Sequence, residues 1–254
     1  MSPRTLKGLA VPVFAVAIAV SGCGGGSEAP APSAPAAPAV DPADAATITG
    51  VIKLDGVAPA PEAIKMNADP VCVKEGHGGT TEFFVSEAGG LGNVLVYLKE
   101  GVSGSYPAPA EPVVLNQKGC HYTPHVFGIM VGQPLQIVNG DPTLHNIHAI
   151  PKTNSEFNTG QPIQGMKFDH TFTAKEVMVP FKCDVHGWMN AHAAVLDHPF
   201  FAVSAKDGKF EIKGLPAGKY TLEAIHEKLG TQTLEIEVAA KEAKAADFTF
   251  KMAS

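Results

Sequence analysis

Short segments rich in β-branched and aromatic residues recur along this chain, and turns of glycine, proline and asparagine separate them. Segments of this length and composition are typical of β-strands, and no amphipathic helical pattern interrupts them. The sequence therefore predicts an all-β fold. The clearest predicted strands cover residues 48–53, 94–99, 127–131, 135–138, 200–204, 209–213, 220–225 and 234–238.

The amino-terminal residues have the pattern of an export signal. Arg4 and Lys7 precede an apolar run over residues 9–20, which is too short to span a bilayer comfortably. The run ends in a Ser-Gly-Cys sequence at Cys23, which resembles the lipobox of bacterial lipoproteins. This resemblance implies that Cys23 is lipidated, so that the protein is exported and held on a membrane facing the periplasm. A plain secretory peptide, with Cys23 in the discarded part, is the open alternative.

Two further features concern this anchor. Gly24, in place of an aspartate after the cysteine, favours the outer membrane under the sorting rule of many Gram-negative bacteria. The following residues up to 46 are mostly Gly, Ala, Pro and Ser, a composition that cannot bury enough apolar surface to fold. We therefore expect a disordered tether between the lipid and the folded part.

The carboxyl-terminal part has two turn signals, Asp207-Gly208 and Pro216-Ala217-Gly218, each next to predicted strands. This arrangement resembles the carboxypeptidase regulatory-like family of small, prealbumin-like β-sandwiches, and residues 48–56 resemble the family's first strand. The resemblance implies a structural module without peptidase activity.

A second resemblance concerns Cys183-Asp-Val-His186-Gly-Trp-Met189 together with the upstream pair His145-Asn146. These residues resemble the blue copper motif of the cupredoxin family, a fold of Greek-key β-sandwiches. The resemblance implies one copper ion, alternating between Cu(I) and Cu(II), with His145, Cys183 and His186 as strong ligands and Met189 as the axial ligand. Asn146 would support the site by a hydrogen bond across to the cysteine loop.

The residue types explain why this set suits copper. Two imidazoles, a thiolate and a weak thioether accommodate both oxidation states, so electron transfer requires little rearrangement. Residues 135–138 should form a strand that ends in a turn at 139–142 and returns through His145. Each residue alone has a simpler interpretation, such as a buried free thiol for Cys183 or a core filler for Met189.

The predicted organisation combines these parts. It comprises a signal peptide and lipobox over 1–23, the tether over 24–46, a regulatory-like sandwich over 47–100 and 198–254, and a copper domain over 101–197. An arrangement of two sequential domains stays open.

The remaining cysteines, Cys72 and Cys120, form an even pair in an oxidising compartment, so we expect a disulfide. Whether His125 or His148 binds a second metal is left open by the sequence. Trp188 is interpreted equally well as a docking surface or as a lid over the copper.

The pattern favours a type 1 copper protein that carries single electrons between redox proteins. An enzyme is not expected, because the His-x-His and His-Cys-His clusters of multicopper enzymes are absent from the sequence. The net charge of -6, with scattered lysines, argues against nucleic acid as a partner. Copper handling, or a structural lipoprotein with a non-redox cupredoxin fold, is the alternative function.

Overall fold

The computed structural model describes residues 41–77 and 79–252, and these residues are nearly all β. The predicted all-β fold is confirmed, since the described residues contain a single short helix, α1 (Pro70–Glu75). Across the same ranges, no helix has the length and apolar character needed to cross a membrane. The predicted signal segment, Cys23 and the tether up to residue 40 lie outside the described residues.

The first pair of sheets, called the flanking sandwich, takes strands from both ends of the described chain. One sheet contains β1 (Ala46–Asp55), β13 (Lys209–Leu215), β16 (Ala243–Ala245) and β17 (Phe248–Lys251). The other has the order β12 (Phe201–Val203), β2 (Leu95–Glu100), β14 (Gly218–His226), β15 (Gly230–Val238). Residues of both sheets bury their side chains in one apolar core.

The second pair of sheets, called the central sandwich, lies between these segments in the sequence. One sheet has the order β5 (Val126–Met130), β11 (Asn190–Leu196), β10 (Glu176–Lys182), β7 (His145–Ala149), β8 (Phe157–Gln161). The other has the order β4 (His121–Thr123), β3 (Val113–Lys118), β6 (Pro134–Asn139), β9 (Lys167–Thr171). These two sheets share a second core, and Leu95 and Tyr97 of β2 pack against β5 and β11 where the sandwiches meet.

The flanking strands follow directly from the sequence pattern. In β15, Leu234, Ile236 and Val238 face inward while the two intervening glutamates are exposed, as the alternation predicts. Gly208 lies in the turn before β13 with φ +79°, and a Cβ there would lie 2.1 Å from the Ile52 carbonyl oxygen. Glycine is required at this turn for both reasons.

A disulfide joins Cys72 of α1 to Cys120, which lies in the turn between β3 and β4. This is the pair that the sequence predicts. Cys72 and the nearby Met66 are buried in the core of the central sandwich. The segment 47–100 therefore contributes to both sandwiches, and the predicted domain boundaries stay a prediction.

Candidate metal centre

Three of the predicted ligands converge at one end of the central sandwich. The donor atoms of His145, Cys183 and His186 all lie within 4.8 Å of one another, and the three side chains are buried. The two Nδ1 atoms of the histidines are 3.0 Å apart. A soft thiolate and two imidazoles are thus gathered around a single point, which is a donor set that copper accepts in both oxidation states.

The strands bring these residues together from separate parts of the chain. His145 is the first residue of β7, and the loop before it carries the chain from the sheet of β6 to the opposite sheet. Cys183 follows directly after β10, and Met189 immediately precedes β11. The expected return through His145 is therefore a crossing between sheets and not a hairpin.

Hydrogen bonds hold the loop over residues 183–189 closed. The Cys183 N–H donates to the Met189 carbonyl at 3.2 Å, and the Met189 N–H donates to the His186 carbonyl at 2.9 Å. The His186 N–H approaches the Cys183 sulfur at 3.3 Å. Met189 is buried beside these residues, and its role as axial ligand stays a prediction.

Asn146 bridges the strand that carries His145 and the cysteine loop. Its Oδ1 accepts the N–H of Asp184 at 2.6 Å, and its Nδ2 donates to Asn158 Oδ1 at 2.7 Å. Asp184 is the residue after the thiol. The Asn146 side chain therefore fixes the start of the loop relative to β7.

Two carboxylates that the sequence motif does not include hold the outer nitrogens of the histidines. Asp141 Oδ2 lies 3.0 Å from His145 Nε2, and Asp69 Oδ2 lies 3.0 Å from His186 Nε2. An Nε2–H that donates to a carboxylate leaves the Nδ1 lone pair free to face the donor cluster. Both imidazoles are therefore oriented for binding through Nδ1.

These carboxylates are themselves anchored. Asp141 is fully buried and accepts the N–H groups of Gly119 and Cys120 at 3.0 and 2.8 Å. Asp69 caps the amino terminus of α1 by accepting the Val71 N–H at 2.8 Å. The disulfide joins the two anchoring segments, since α1 carries Cys72 and the turn that binds Asp141 carries Cys120.

Sequence reasoning missed both carboxylates. The sequence signal that could have identified Asp141 is its position four residues before His145, whereas Asp69 has no local signal in the sequence.

The electrostatics of the cluster lower the pKa of the Cys183 thiol. Burial acts to raise the pKa of Cys183, but hydrogen bonding with His145 and with backbone N–H groups outweighs it, and the pKa lies below its ordinary value. Burial, together with the neighbouring His145, lowers the pKa of His186 and keeps its imidazole neutral. Metal binding requires a thiolate and neutral imidazoles, so the shifts at Cys183 and His186 favour it. At His145 burial acts to lower the pKa, but the hydrogen bonds to Asp141 and Cys183 outweigh it, and the pKa lies above its ordinary value.

The group of His145, Cys183 and His186 fits copper better than the neighbouring groups of possible ligands do. Two other groupings of possible ligands lie nearby, but each depends on Cys72 or Cys120, whose sulfurs are committed to the disulfide. Cys183 is the free cysteine of the described residues, and it is buried. The residues that would hold the copper are therefore His145, Cys183 and His186, with Met189 on the loop beside them.

Trp188 and His148 lie near the centre without joining the donor set. Trp188 donates its indole N–H to the Cys120 carbonyl at 3.0 Å, and its ring centroid is 5.1 Å from that of His186. His148 is held at the rim between Asp184 and Glu156, at 2.9 and 2.8 Å. The tryptophan position covers one side of His186, which favours the lid interpretation.

Comparison with known proteins gives limited overlap. No family model and no curated protein matches the chain. Among solved structures, the Cu-containing nitrite reductase from Thermus scotoductus SA-01 matches with 22% identity and a TM-score of 0.33, over 40% of this chain and 25% of that one. A purple cupredoxin from Nitrosopumilus maritimus matches with 28% identity and a TM-score of 0.26, over 30% of this chain and 81% of that one.

A proline-to-alanine mutant of amicyanin, in its oxidised state, matches with 20% identity and a TM-score of 0.30, over 33% of this chain and 81% of that one. The chain thus spans a quarter of the nitrite reductase's length and most of the length of the two small cupredoxins. At such TM-scores the likeness carries no functional weight, and function is inferred from the residues of the site.

Proposed function

We propose that this protein is a membrane-anchored type 1 copper protein that transfers single electrons between redox proteins in the periplasm. The observation that carries the proposal is the buried grouping of His145, Cys183 and His186. Copper bound there would accept one electron and release it again. The protein's own contribution is to fix the ligands, to exclude water and to lower the pKa of the thiol.

The rigidity of the surroundings supports electron transfer over metal delivery. Carboxylates fix both imidazoles, and Asn146 fixes the cysteine loop. The ligands therefore have little freedom to move when the copper changes its oxidation state. A delivery site would instead need exposed donors that exchange metal easily. The buried, oriented donor set therefore favours a carrier that retains its copper.

A docking face for a redox partner is part of the proposal. Leu144 and Val185 adjoin the ligands His145 and His186 in sequence, and 42% and 49% of their surfaces are exposed. Apolar side chains beside a buried redox centre suit brief contact with another protein. An enzyme is not part of the proposal, because the described site contains donors for a metal ion and the sequence indicates no separate catalytic group.

Protein-film voltammetry tests the electron-transfer function. The full-length protein loaded with copper should give one reversible one-electron couple that persists over repeated cycles. The zinc-loaded protein is the matched control and should be silent over the same range. Loss of copper on reduction, or an irreversible wave, would favour copper handling instead.

The proposed anchor has a separate test. Globomycin, which blocks lipoprotein signal cleavage, should cause the precursor to accumulate if Cys23 is lipidated. The Cys23→Ser variant should show the same precursor without the drug. Normal processing in the presence of globomycin would contradict the lipid anchor while leaving the copper site untouched.

A further inference from the structure

A second cluster of metal-binding side chains lies where the two sandwiches meet. One imidazole nitrogen each of His125 and His192 and one carboxylate oxygen of Glu227 all lie within 4.8 Å of one another. His125 immediately precedes β5, and His192 lies on β11, whereas Glu227 follows β14 in the hairpin of the flanking sandwich. The cluster shares no residue with the His145, Cys183 and His186 centre.

The hydrogen bonding of His125 leaves a lone pair facing a carboxylate. Its Nδ1 lies 3.2 Å from the Asn190 carbonyl oxygen, which can only accept a hydrogen bond, so this nitrogen carries a proton. Its Nε2 is in close contact with Glu227 Oε1. A neutral imidazole would bring two lone pairs together there, so the contact as it stands fits a proton shared by the two atoms. A metal ion could take the place of that proton if the two side chains moved slightly apart, since Zn–N and Zn–O bonds are each about 2 Å long.

His192 distinguishes these two possibilities. Its Nδ1 is buried and has no hydrogen-bond partner among residues 41–77 and 79–252. Burial lowers the pKa of this histidine despite the nearby Glu227, which favours the neutral, metal-binding form. A proton shared between His125 and Glu227 would leave His192 outside the contact, whereas a metal ion would engage one nitrogen of each imidazole and the carboxylate.

The Glu227 carboxylate is also suited to binding a metal ion. The Glu227 side chain is only 7% exposed, and although burial acts to raise its pKa, the hydrogen bond with His125 and the positive charge of Lys228 help to hold the pKa below its usual value. Lys228 Nζ lies 3.7 Å from the second carboxylate oxygen, and its ammonium also sits 4.0 Å above the Phe83 ring centre. One oxygen is thus directed at the histidines, and the other at the lysine.

We propose that His125, His192 and Glu227 bind a divalent cation of the zinc class, separate from copper. Two imidazoles and one carboxylate form a donor set of borderline softness that suits Zn²⁺, and three protein ligands leave a fourth position for water or another ligand. A cavity of about 320 Å³, lined by His192, Glu227 and Phe83 among others, adjoins the cluster and provides that space. Because the ligands come from both sandwiches, the cation also fastens one sandwich to the other.

Isothermal titration calorimetry with Zn²⁺ tests this proposal without depending on the copper centre. The full-length Cys183→Ala variant serves as the background, since it lacks the thiolate of that centre. We expect one equivalent of Zn²⁺ to bind and to raise the melting temperature. Adding His192→Gln or Glu227→Gln should each weaken binding at least about tenfold, whereas the control His148→Gln should leave it unchanged.

Absence of stoichiometric binding, or full binding by both the His192→Gln and Glu227→Gln variants, would overturn the proposal. Loss of binding in His148→Gln would also overturn it, because that histidine is held by other carboxylates at the rim. X-ray absorption of the Zn²⁺-bound background protein reports the ligand types directly. A coordination shell of nitrogen and oxygen atoms with two imidazoles is expected, and one imidazole should be lost after His192→Gln. A shell with fewer than two imidazoles, or one that His192→Gln leaves unchanged, would contradict the assignment.

Discussion

The two sandwiches of this molecule are built from similar strands but differ in what they bury. The central sandwich buries a set of polar side chains within or beside its apolar core, namely Gln117, Asn139, Asp141, Asn146, Gln161, His145 and His186. The core of the flanking sandwich is a continuous set of apolar side chains contributed by both of its sheets, and fewer polar side chains are buried beside it, namely His198, Ser204, Glu223 and His226. Buried polar groups reduce stability unless each is hydrogen-bonded, whereas apolar burial adds to it.

This difference indicates a division of roles. The polar groups of the central sandwich bond one another, for example Gln117 to Gln161 at 2.6 Å and Asn139 to the Gln161 carbonyl at 2.7 Å. Such a network fixes the ends of β6 and β8 close to His145. The flanking sandwich contributes stability and a surface against which β5 and β11 are held. Changes in the flanking sandwich should therefore affect mainly stability, and changes in the central sandwich should affect mainly copper binding.

The largest expected loss of stability comes from the flanking core. Phe250 of β17 is fully buried, so Phe250→Ala should lower the free energy of unfolding by about 3–5 kcal/mol through lost packing and a new cavity. The visible spectrum of the copper-loaded, folded fraction should stay the same. Urea denaturation and absorption spectra measure both, and a changed spectrum would contradict the separation of the two regions.

The disulfide should rank next. Replacing both Cys72 and Cys120 by alanine releases a link across 48 residues and should cost about 2–5 kcal/mol. It should also weaken copper binding, because the disulfide holds α1 in place and Asp69, which caps this helix, orients His186. Thermal unfolding and copper competition measure these effects, and an unchanged unfolding midpoint would argue that the bridge has no stabilising role.

Asn146→Ala should lower the free energy of unfolding less than loss of the disulfide does, and its main effect should be on copper affinity. It removes the acceptor for the Asp184 N–H, a part-buried hydrogen bond, and should cost about 0.5–1.5 kcal/mol because the freed N–H can bond to water. Loosening of the loop should reduce copper affinity by about 10–100-fold. Competition with a copper chelator gives the affinity, and an affinity equal to that of the unmodified protein would show that the loop is fixed by other contacts.

The smallest effect is expected at the flanking surface, where Lys53 pairs with Asp247 at 3.0 Å. Asp247→Asn should cost at most about 1 kcal/mol at neutral pH, because both groups are exposed. Hydrogen bonds from the Val51 N–H and Lys53 lower the pKa of Asp247, so its contribution is complete above about pH 4 and is lost as the pH falls through the lower folded pKa. Unfolding measured from pH 7 to pH 2 should show the variant and the parent converging in acid, and a constant difference would contradict this.

The strands of the flanking sandwich could be predicted because their patterns are local. Glu235 and Glu237 alternate with apolar residues, and the Asp207-Gly208 turn marks the start of β13. The predicted strands end within a few residues of the observed ones, and β15 begins four residues earlier, at Gly230. The short strand β16, with the sequence Ala-Lys-Ala, lacks β-branched residues and has no strand signal of its own.

The central sandwich was harder to predict for a physical reason. The strand β7 is buried on nearly every side, so His145, Asn146 and Ile147 show no alternation, and its identity as a strand depends on pairing with distant residues. The ligand motif named the four candidate copper ligands from residue types and their order. It could not name Asp69, which reaches His186 only because a helix and a disulfide bring it there.

One pair of spectra tests most directly whether His145, Cys183 and His186 form a blue copper centre. The full-length protein should be given one equivalent of Cu(II) and compared with Cys183→Ser by visible absorption and electron paramagnetic resonance. We expect an intense thiolate-to-copper band with a narrow copper hyperfine splitting, and its loss in the folded serine variant. A colourless protein with an ordinary tetragonal copper signal, or a colour that persists without the thiolate, would contradict the blue copper centre.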